Sequence, residues 1–310
     1  MNRIFDAHCD TSDILYENCA ELKRNKFHVD LERMKEYKNY IQVFAAYIDK
    51  KSICCSPMNR CLALIEKITT ELESDNVPII KSKKDLEEVC GSFCVGALLS
   101  IEGAEALEGN LSALWMFHRL GIRLITLTWN HANELADGIT EPRGGGLTAF
   151  GKEVVKTMEN LGMMIDVSHL SVKGFWDVAE IARKPFIASH SCVKAICGHP
   201  RNLDDEQIKF MIQNGCGIGI NFYPKFLSDS DKCSVGDIIK HMRYITDMGG
   251  DKILGLGSDF DGVEYLPDGI NGVQNMSDIL KEMSAYGFTD TQITDISFNN
   301  FYRIFSEVLN

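Results

Sequence analysis

The sequence predicts a (β/α)₈ TIM barrel of the α/β class, formed by a single domain over residues 1–310 with additional C-terminal helices. Eight short apolar segments alternate with segments of helical period, which is the pattern of a parallel sheet covered by helices. A length of 310 residues suits one barrel, since such domains run to about 250 residues and beyond. An open doubly wound sheet is the alternative. It is disfavoured because no G-x-G-x-x-G follows the first strand and no Walker lysine motif occurs.

The predicted strands are short apolar runs, most of which end in polar residues. They are the segment from Ile4 to Asp10, then Ile41–Ile48, Val95–Ile101, Arg123–Thr128, Met163–Val167, Phe186–Ala188, Gly215–Phe222 and Ile253–Gly257.

The predicted helices lie between these strands and carry apolar residues on one face. They are Pro57–Leu72, Lys83–Val89, Leu111–Leu120, Leu147–Leu161, Val172–Ile181, a helix from Asp204 or Asp205 to Ile212, Val235–Met248, and two or three helices between Ser277 and Leu309. The charged residues 21–38 are expected to form solvated helix and loop. Residues 138–146, with Pro142 and three consecutive glycines, are expected to form a long loop at the active edge of the barrel.

The composition indicates a globular protein that binds neither nucleic acid nor membrane. Hydrophobic residues make up 45% of the chain and charged residues 25%. The net charge of −12 argues against a nucleic-acid partner, because phosphate neutralisation needs clustered Lys and Arg. No apolar run approaches the roughly 18 residues of a membrane span. Because the first strand begins within three residues of the start, no signal peptide is expected, and we expect a cytoplasmic location.

The eleven cysteines are expected to be reduced thiols, since their number is odd and their spacing forms no disulfide framework. Cys54 and Cys55 are adjacent, and adjacent cysteines rarely reach disulfide geometry. The oligomeric state is not predicted, although a homodimer is compatible with the sequence.

Two neighbouring predicted strands each end in Ser-His, at Ser168-His169 and Ser189-His190. The segment between them has helical period, so the two strands form a βαβ unit and their carboxyl ends meet at the same edge. One histidine at a strand end is more often structural. Two at equivalent positions favour a shared metal or catalytic site, because that edge is where barrel enzymes keep their chemistry.

Other predicted strands bring further polar residues to the same edge. His8 and Asp10 close the first strand, Glu102 follows the third and Asp259 follows the eighth. Each of these residues alone is also typical of an ordinary polar residue at the point where a strand ends. Together with His169 and the histidine of the next strand they form a set of imidazoles and carboxylates, which suits a pair of divalent ions such as zinc, cobalt or manganese.

At these residues the sequence resembles the renal or membrane dipeptidase family of dinuclear zinc peptidases. The matches occur in the family's order and run from residue 6 to residue 262. They are DAHCDT, SIEGAE, IDVSHLS, ASHS followed by HPRNLDD, GINFY and GSDFDG.

The resemblance implies a metal-dependent barrel that hydrolyses dipeptides with two divalent ions, most simply Zn²⁺. It assigns His8 and Asp10 to the first ion, Glu102 to both ions, and His169 and His190 to the second ion. Substrate contacts are implied for Arg201, which would hold the terminal carboxylate, for Asp259, which lies near the amine and the scissile bond, and for Tyr223 at the end of the GINFY match.

One departure from the family pattern lies after the fourth strand. Renal-type members carry a histidine directly after the strand 4 threonine, whereas this chain has Trp129 there. His131, two residues further on, is expected to take its catalytic and substrate-binding role.

The expected mechanism follows from these assignments. A hydroxide that bridges the two zinc ions attacks the peptide carbonyl, and a zinc ion, with His131 as a second contributor, stabilises the oxyanion. Asp259 accepts a proton from the water and returns it to the leaving amine. Substrates include L,L-dipeptides and, as an open possibility, L-Xaa-D-Xaa dipeptides.

Two other functions remain open at this point. The first is a barrel metallohydrolase of another substrate class, such as a lactone, cyclic amide or phosphoester, since many chemistries use this scaffold. The second is a non-catalytic metal-binding protein. Arg201 distinguishes the first alternative, because those substrates have no carboxylate that needs a clamp.

Overall fold

The computed structural model describes residues 2–48, 56–92, 95–230 and 232–310. The Cys54-Cys55 pair lies outside these residues. Eight parallel strands within the described ranges close into a barrel in the order β1 to β8, with β1 pairing with β8. The predicted fold class is confirmed. The strands are β1 Arg3–Cys9, β2 Asn39–Tyr47, β3 Val95–Glu102, β4 Ile122–Thr126, β5 Met164–Asp166, β6 Ile187–Ser191, β7 Gly217–Ile220 and β8 Leu254–Leu256.

The helices surround the barrel. Apart from α1 and α9, which were not predicted, they agree with the predicted segments to within a few residues, and the tail contains the expected helices. Between β1 and β5 the helices are α1 Thr11–Glu17, α2 Leu31–Met34, α3 Pro57–Ser74, α4 Lys83–Ser92, α5 Leu111–Leu120 and α6 Ala149–Leu161. Beyond β5 they are α7 Val172–Ile181, α8 Asp205–Gln213, α9 Pro224–Leu227, α10 Val235–Asp247, α11 Met276–Ala285, α12 Asp290–Thr294 and α13 Asn300–Val308.

The expectation of a solvated segment over residues 21–38 is wrong in part. Leu22, Val29, Leu31 and Met34 in this segment are fully buried. Charged residues lie between these four apolar residues in the sequence. The apolar residues therefore do not recur at a regular helical or strand period, and hydrophobic periodicity does not reveal that they are buried. Helix α1, which directly follows the first strand, was not predicted either.

The barrel has two joints at which the strand ladder is sparse. The β2–β3 register runs over eight residue pairs, whereas β1 and β8 share the single pair Asp6 with Leu256, and β5 and β6 share the single pair Asp166 with Ile187. Just beyond the end of β8, Cys9 forms one further bridge with Phe260. We call these two joints the seams. They divide the barrel into a large arc, β1 to β5, and a small arc, β6 to β8.

The amino-terminal end of the barrel is closed by aromatic side chains from the C-terminal helices. The ring of Phe5 on β1 lies 5.0 Å from the ring of Phe305 and 5.8 Å from that of Phe301. All three side chains are buried. Because this end is filled with apolar groups, polar chemistry is confined to the opposite end, where the strands terminate.

Two findings bear on the composition-based predictions. No helix within the described ranges is both long enough and apolar enough to cross a membrane. The cysteines that the structure describes are free thiols, as expected; they are Cys9, Cys19, Cys61, Cys90, Cys192, Cys197, Cys216 and Cys233.

Candidate active site

A cavity of about 310 Å³ opens at the carboxyl ends of the strands. Acidic groups and His169 line one part of it, and aromatic side chains line another. The lining residues are Asp10, Asp13, Tyr47, Glu102, Trp129, Asn130, His169, Tyr223, Phe226, Asp259, Asp261, Gly262, Val263 and Glu264. The volume is at the low end for ligand sites and suits a small molecule.

Glu102, at the end of β3, lies at the centre of the site, and its two oxygens face different histidines. Its Oε2 is 3.6 Å from His8 Nε2 on β1. Its Oε1 is 3.0 Å from His169 Nε2 and 3.6 Å from His190 Nε2. One carboxylate therefore contacts both halves of the cluster.

The first half of the cluster comes from β1 and the residues just after it. His8 Nε2 is 3.3 Å from Asp10 Oδ2 and 3.9 Å from Asp259 Oδ1. The side chains of His8 and Asp10 therefore point to the same place. These groups lie close enough for one ion to contact all three: their ligand atoms are within 4.8 Å of one another.

The second half of the cluster consists of two histidines whose Nε2 atoms are 2.9 Å apart. His169 Nδ1 is 2.8 Å from Asn130 Oδ1, which can only accept, so the ring carries its proton on Nδ1. His190 Nδ1 is 2.7 Å from Ser189 Oγ. Two unprotonated Nε2 atoms at this distance repel each other unless a cation or a proton lies between or beside them.

The donor set fits divalent metal ions. Both ring nitrogens of His8 and Oδ1 of Asp10 are buried and form no hydrogen bond with any described residue. Leaving such groups unpaired costs about 1–3 kcal/mol each, a cost that coordination to a cation removes. Imidazole and carboxylate ligands without thiolates match the preferences of zinc, cobalt and manganese.

The charges of the cluster are set by burial and by mutual contact. Burial lowers the pKa of His8, but the carboxylates of Asp10 and Glu102 outweigh burial and raise it well above its usual value. Burial raises the pKa of Asp10, and the neighbouring Glu102 raises it further. Burial and the positive charge of Arg201 lower the pKa of His169 to about 4. His169 is therefore neutral near pH 7, the form that binds metal ions.

Backbone geometry at the cluster is unusual in two places. His169 and Asp259 have φ angles of 66° and 60°, in the left-handed region that non-glycine residues seldom occupy. Such conformations cost of order 1–3 kcal/mol and occur often at functional sites. For Asp259 the turn directs Oδ1 to the cavity, while Asn221 Nδ2 donates to Oδ2 at 2.8 Å.

Arg201 is buried beside the cluster, in the loop between β6 and α8. Its Nη2 donates to the backbone oxygen of His190 at 3.2 Å, and its Nε has no hydrogen-bond partner in the described chain. Burial lowers its pKa to about 10, so the guanidinium stays charged near neutral pH. No carboxylate among the described residues forms an ion pair with it, and it lies behind the residues that line the cavity and is not one of them.

The remaining predicted residues have different positions. Tyr223 lines the cavity, and its hydroxyl donates to Glu264 Oε2 at 3.4 Å. Trp129 also lines the cavity, with its ring 5.3 Å from that of Tyr47. His131 is not among the lining residues: its side chain is 41% exposed, and Nδ1 lies 3.7 Å from Glu141 Oε1. The structure thus brings eight of the nine predicted site residues to the cluster or its edge and leaves His131 outside.

Sequence reasoning missed the polar residues that hold this cluster. Asn130 and Asn221 contact site residues directly. Asp6 and Asp166 lie fully buried within strands next to the cluster. A signal for the two aspartates existed in the sequence, because a carboxylate inside an apolar strand is costly unless several donors surround it.

Comparison with known proteins gives concordant results. The model of a family described as membrane dipeptidase, Peptidase family M19, matches residues 2–310. Dipeptidase aclJ of Aspergillus oryzae is 34% identical over 218 residues, which is 69% of this chain; the match spans only about half, 52%, of that relative. A metallopeptidase from Rhodobacter sphaeroides, solved with a phosphinate mimic of the dipeptide L-Ala-D-Ala, has a TM-score of 0.90 and 25% identity, with 99% of each chain covered.

A second solved structure gives the same result. It is that of dipeptidase AC, a metallopeptidase of family M19, with a TM-score of 0.91, 26% identity and 99% of each chain covered. The similarity therefore extends over the whole barrel and is not confined to one motif.

Proposed function

The chain belongs to the membrane dipeptidase family, Peptidase family M19, and on this premise we propose that it is a metal-dependent dipeptidase that hydrolyses the peptide bond of dipeptides. The observation that carries the proposal is that the two oxygens of Glu102 contact different histidines, Oε2 contacting His8 and Oε1 contacting His169 and His190. A carboxylate shared in this way suits two divalent ions, and Zn²⁺ matches the donor set best.

The metal ligands in this proposal are the five residues predicted from the sequence. His8 and Asp10 would hold one ion, His169 and His190 would hold the other, and Glu102 would contact both. Such ions would lower the pKa of a bound water molecule and polarise the peptide carbonyl. The protein's part is to fix these ligands in place, and the buried strand ends serve that purpose.

Asp259 has the position of a proton carrier. Its Oδ2 is occupied by the amide of Asn221, while Oδ1 faces His8 and the cavity. The free oxygen accepts the proton of the attacking water and returns it to the leaving amine. The same carboxylate attracts the positively charged amino terminus of a dipeptide.

Arg201 determines the length of the substrate. Its buried, charged guanidinium has an unpaired Nε and no ion-pair partner among the described residues. A carboxylate can bind such a fork through two parallel hydrogen bonds. With Asp259 holding the amine and Arg201 the carboxylate, a molecule that satisfies both has its two termini close together, as a dipeptide does.

The stereochemical range of the substrate is proposed to include an L,D-dipeptide as well as L,L-dipeptides. Support comes from the Rhodobacter sphaeroides relative, which binds a mimic of L-Ala-D-Ala in its solved structure. The cavity of about 310 Å³ also matches a small substrate rather than a longer peptide.

The test is hydrolysis by the zinc-loaded protein of L-Ala-L-Ala, L-Ala-D-Ala and their C-terminal amides. We expect turnover of the free acids and a loss of at least about 100-fold in kcat/KM for the amides, since a charge-assisted bidentate contact is lost. Arg201→Ala should lower kcat/KM for the free acids by a similar factor. Exposed Arg119 supplies the control variant, Arg119→Ala.

Two results would contradict the proposal. Equal turnover of acids and amides would remove the role of Arg201 and favour a metallohydrolase of another substrate class, which lactone and phosphoester substrates would then identify. Bound metal without turnover of any of these substrates would favour a non-catalytic metal-binding protein.

A further inference from the structure

Behind His190, on the side away from the cavity, lies a chain of hydrogen bonds that ends in a buried carboxylate. Ser189 Oγ is 2.7 Å from His190 Nδ1 and 2.6 Å from Asp166 Oδ2. All three residues are buried, and Asp166 and Ser189 are fully so. The seam between β5 and β6 runs through this group, since Asp166 forms the single residue pair there.

The donors around Asp166 determine which group donates and which accepts in each of these hydrogen bonds. Its Oδ1 accepts from the backbone amides of Ser168 at 3.0 Å and Ser189 at 2.9 Å. Its Oδ2 accepts from the hydroxyls of Thr126 at 2.6 Å and Ser189 at 2.6 Å. Both oxygens therefore act as acceptors, and the single proton of the Ser189 hydroxyl points to Asp166.

It follows that Ser189 Oγ can only accept from His190. A hydroxyl has one proton, and that proton is used toward Asp166. His190 must then donate from Nδ1, which leaves Nε2 unprotonated and directed at Glu102 and His169. The second acceptor site of Ser189 Oγ faces the Ser168 hydroxyl at 3.3 Å.

The other seam shows a similar pair, whose serine hydroxyl lies 3.3 Å from the backbone oxygen of His8 and not beside an imidazole. Asp6 accepts from the backbone amide of Ser258 at 2.9 Å and also from its hydroxyl. Ser258 precedes Asp259 just as Ser189 precedes His190. A carboxylate and a serine thus join the strands at each seam, but only at the β5–β6 seam does the serine contact an imidazole.

We propose that Asp166 and Ser189 are positioning residues that keep the proton of His190 on Nδ1 and so keep Nε2 free to bind a cation. The pair acts through His190 and touches neither substrate nor metal. Hydrogen bonds to the second nitrogen of metal-binding histidines commonly change metal affinity by 10–100-fold when they are removed. The part of the inference that concerns metal affinity rests on the proposed function, whereas the part that concerns the proton does not.

The variant that tests the proton directly is Asp166→Asn. The two backbone amides at Oδ1 require an acceptor, so the new side chain must turn its oxygen to them and its Nδ2 to Ser189 and Thr126. Nδ2 then donates to Ser189 Oγ, whose hydroxyl proton is released to donate to His190 Nδ1. The proton of His190 should move to Nε2, the atom that must be free for a metal ion.

The measurement is a long-range ¹H–¹⁵N correlation spectrum of metal-free, histidine-labelled protein, with His190 assigned from the signals that disappear in His190→Gln. We expect a protonated Nδ1 in the wild type, a protonated Nε2 in Asp166→Asn and a mixture in Ser189→Ala. The affinity for Zn²⁺, measured by competition with a chelator, should fall by about 10-fold in Ser189→Ala and by about 100-fold or more in Asp166→Asn.

Two matched variants separate this role from a general loss of structure. Thr126→Val removes a hydroxyl that donates to the Asp166 carboxylate but does not contact His190. Ser258→Ala removes the serine hydroxyl at the other seam. Both should keep the His190 proton on Nδ1. Circular dichroism should show that all four variants are folded. If Asp166→Asn does not fold, Ser189→Ala decides the question.

The inference is overturned if His190 keeps its proton on Nδ1 in both Asp166→Asn and Ser189→Ala, or if Thr126→Val causes the same change. If the His190 proton moves to Nε2 as expected but the zinc affinity does not change, the role of Asp166 and Ser189 in placing that proton is supported and His190 is overturned as a metal ligand. Failure of the inference and failure of the proposed function therefore give different results.

Discussion

Asp259 lies beside the proposed metal ligand His8 and also lines the cavity, so it could serve the metal or the substrate, and these roles call for different chemistry. Its Oδ1 is 3.9 Å from His8 Nε2, and it belongs with His8 and Asp10 to one of the groups that could hold an ion. Its other oxygen is fixed by Asn221, and its side chain reaches the cavity. Substitution by Asn separates the two roles, because Asn keeps the shape and removes the basicity.

Asp259→Asn is expected to keep its metal content while kcat falls by at least about 10²-fold, the low end for loss of a positioned acid or base. KM should rise as well, because the amine of the substrate loses a charged partner. Elemental analysis and steady-state kinetics on the same preparation check this. Loss of one ion per chain would make Asp259 a ligand and pass the proton transfer to another group.

Two ions per chain are expected in the wild type, since the ligands form two sets around Glu102. His169→Ala should bind about half as much metal as the wild type, because His169 belongs to one set only. Elemental analysis after dialysis gives the ratio, and His131→Ala serves as the control, since His131 lies outside the cluster. An unchanged content in His169→Ala would remove this residue from the site.

Glu105, just after the Glu102-Gly103 turn, links stability to pH. Burial, helped by repulsion from Glu134 and Glu102, raises its pKa from 4.5 to about 7. Its Oε2 is buried and has no hydrogen-bond partner in the described chain. Because the folded state disfavours the charged form, the contribution of Glu105 to stability is greatest below pH 4.5 and is lost as the pH rises through about 7.

Glu105→Gln removes this dependence. From a pKa rise of about 2.5 units, the variant should be more stable than the wild type by up to about 3 kcal/mol at pH 8. The difference should shrink toward zero near pH 4.5. Urea unfolding of both proteins at the two pH values measures it. A difference that does not change with pH would mean that Glu105 titrates normally.

Much of the residue-level site could be predicted because parallel strands end at one edge. That rule alone groups His8, Glu102, His169 and Asp259. The roles of Asn130 and Asn221 could not be predicted in this way. Their contacts depend on where each loop turns back after its strand, and no periodic pattern encodes that turn.

At the scale of elements, the strands could be predicted because each is a short apolar run between polar segments. Strand boundaries were less certain: β7 was predicted as Gly215–Phe222 and is Gly217–Ile220. Gly215 has a φ of 66° and turns the chain before the strand begins. Such a conformation depends on the local turn, which hydrophobic patterning does not report.

Close contact between β6 and the chain after β8 requires a glycine at position 257. A Cβ atom there would lie 1.9 Å from the backbone oxygen of Ser189 and 3.1 Å from the Cα of His190. Backbone atoms cannot move aside as a flexible side chain can. The two segments can therefore approach only because residue 257 has no side chain.

Gly257→Ala should accordingly destabilise the fold by about 2–3 kcal/mol, the upper part of the range for overpacking. Gly198→Ala is the matched control, because a Cβ at Gly198 meets no atom within 4 Å. Denaturant unfolding of both variants gives the comparison. Equal midpoints for the two variants would show that the barrel absorbs the extra methyl group.

At the scale of the whole molecule, the proposed metal ligands lie at or just after strand ends of a barrel that has its own apolar core. That core includes the aromatic closure around Phe5, which lies at the end opposite the ligands. We expect chelation to abolish dipeptide hydrolysis while leaving most secondary structure intact, unlike small zinc domains, which unfold without metal. Far-UV circular dichroism before and after chelation tests this, and added Zn²⁺ should restore activity. A large loss of helical signal would show that the metal is needed for the fold itself.

The two seams give the barrel a specific way to open. Each seam has one ladder pair and a buried carboxylate, and the proposed ligands come from both arcs: four from the large arc or the residues after it, and His190 from the small arc. A bound ion would therefore link the arcs, and partial opening along the seams would require releasing it. Amide hydrogen exchange should be faster at the seams than in the β2–β3 ladder and should slow when zinc is added, because transient separation of the arcs is a local unfolding event that ligand binding suppresses.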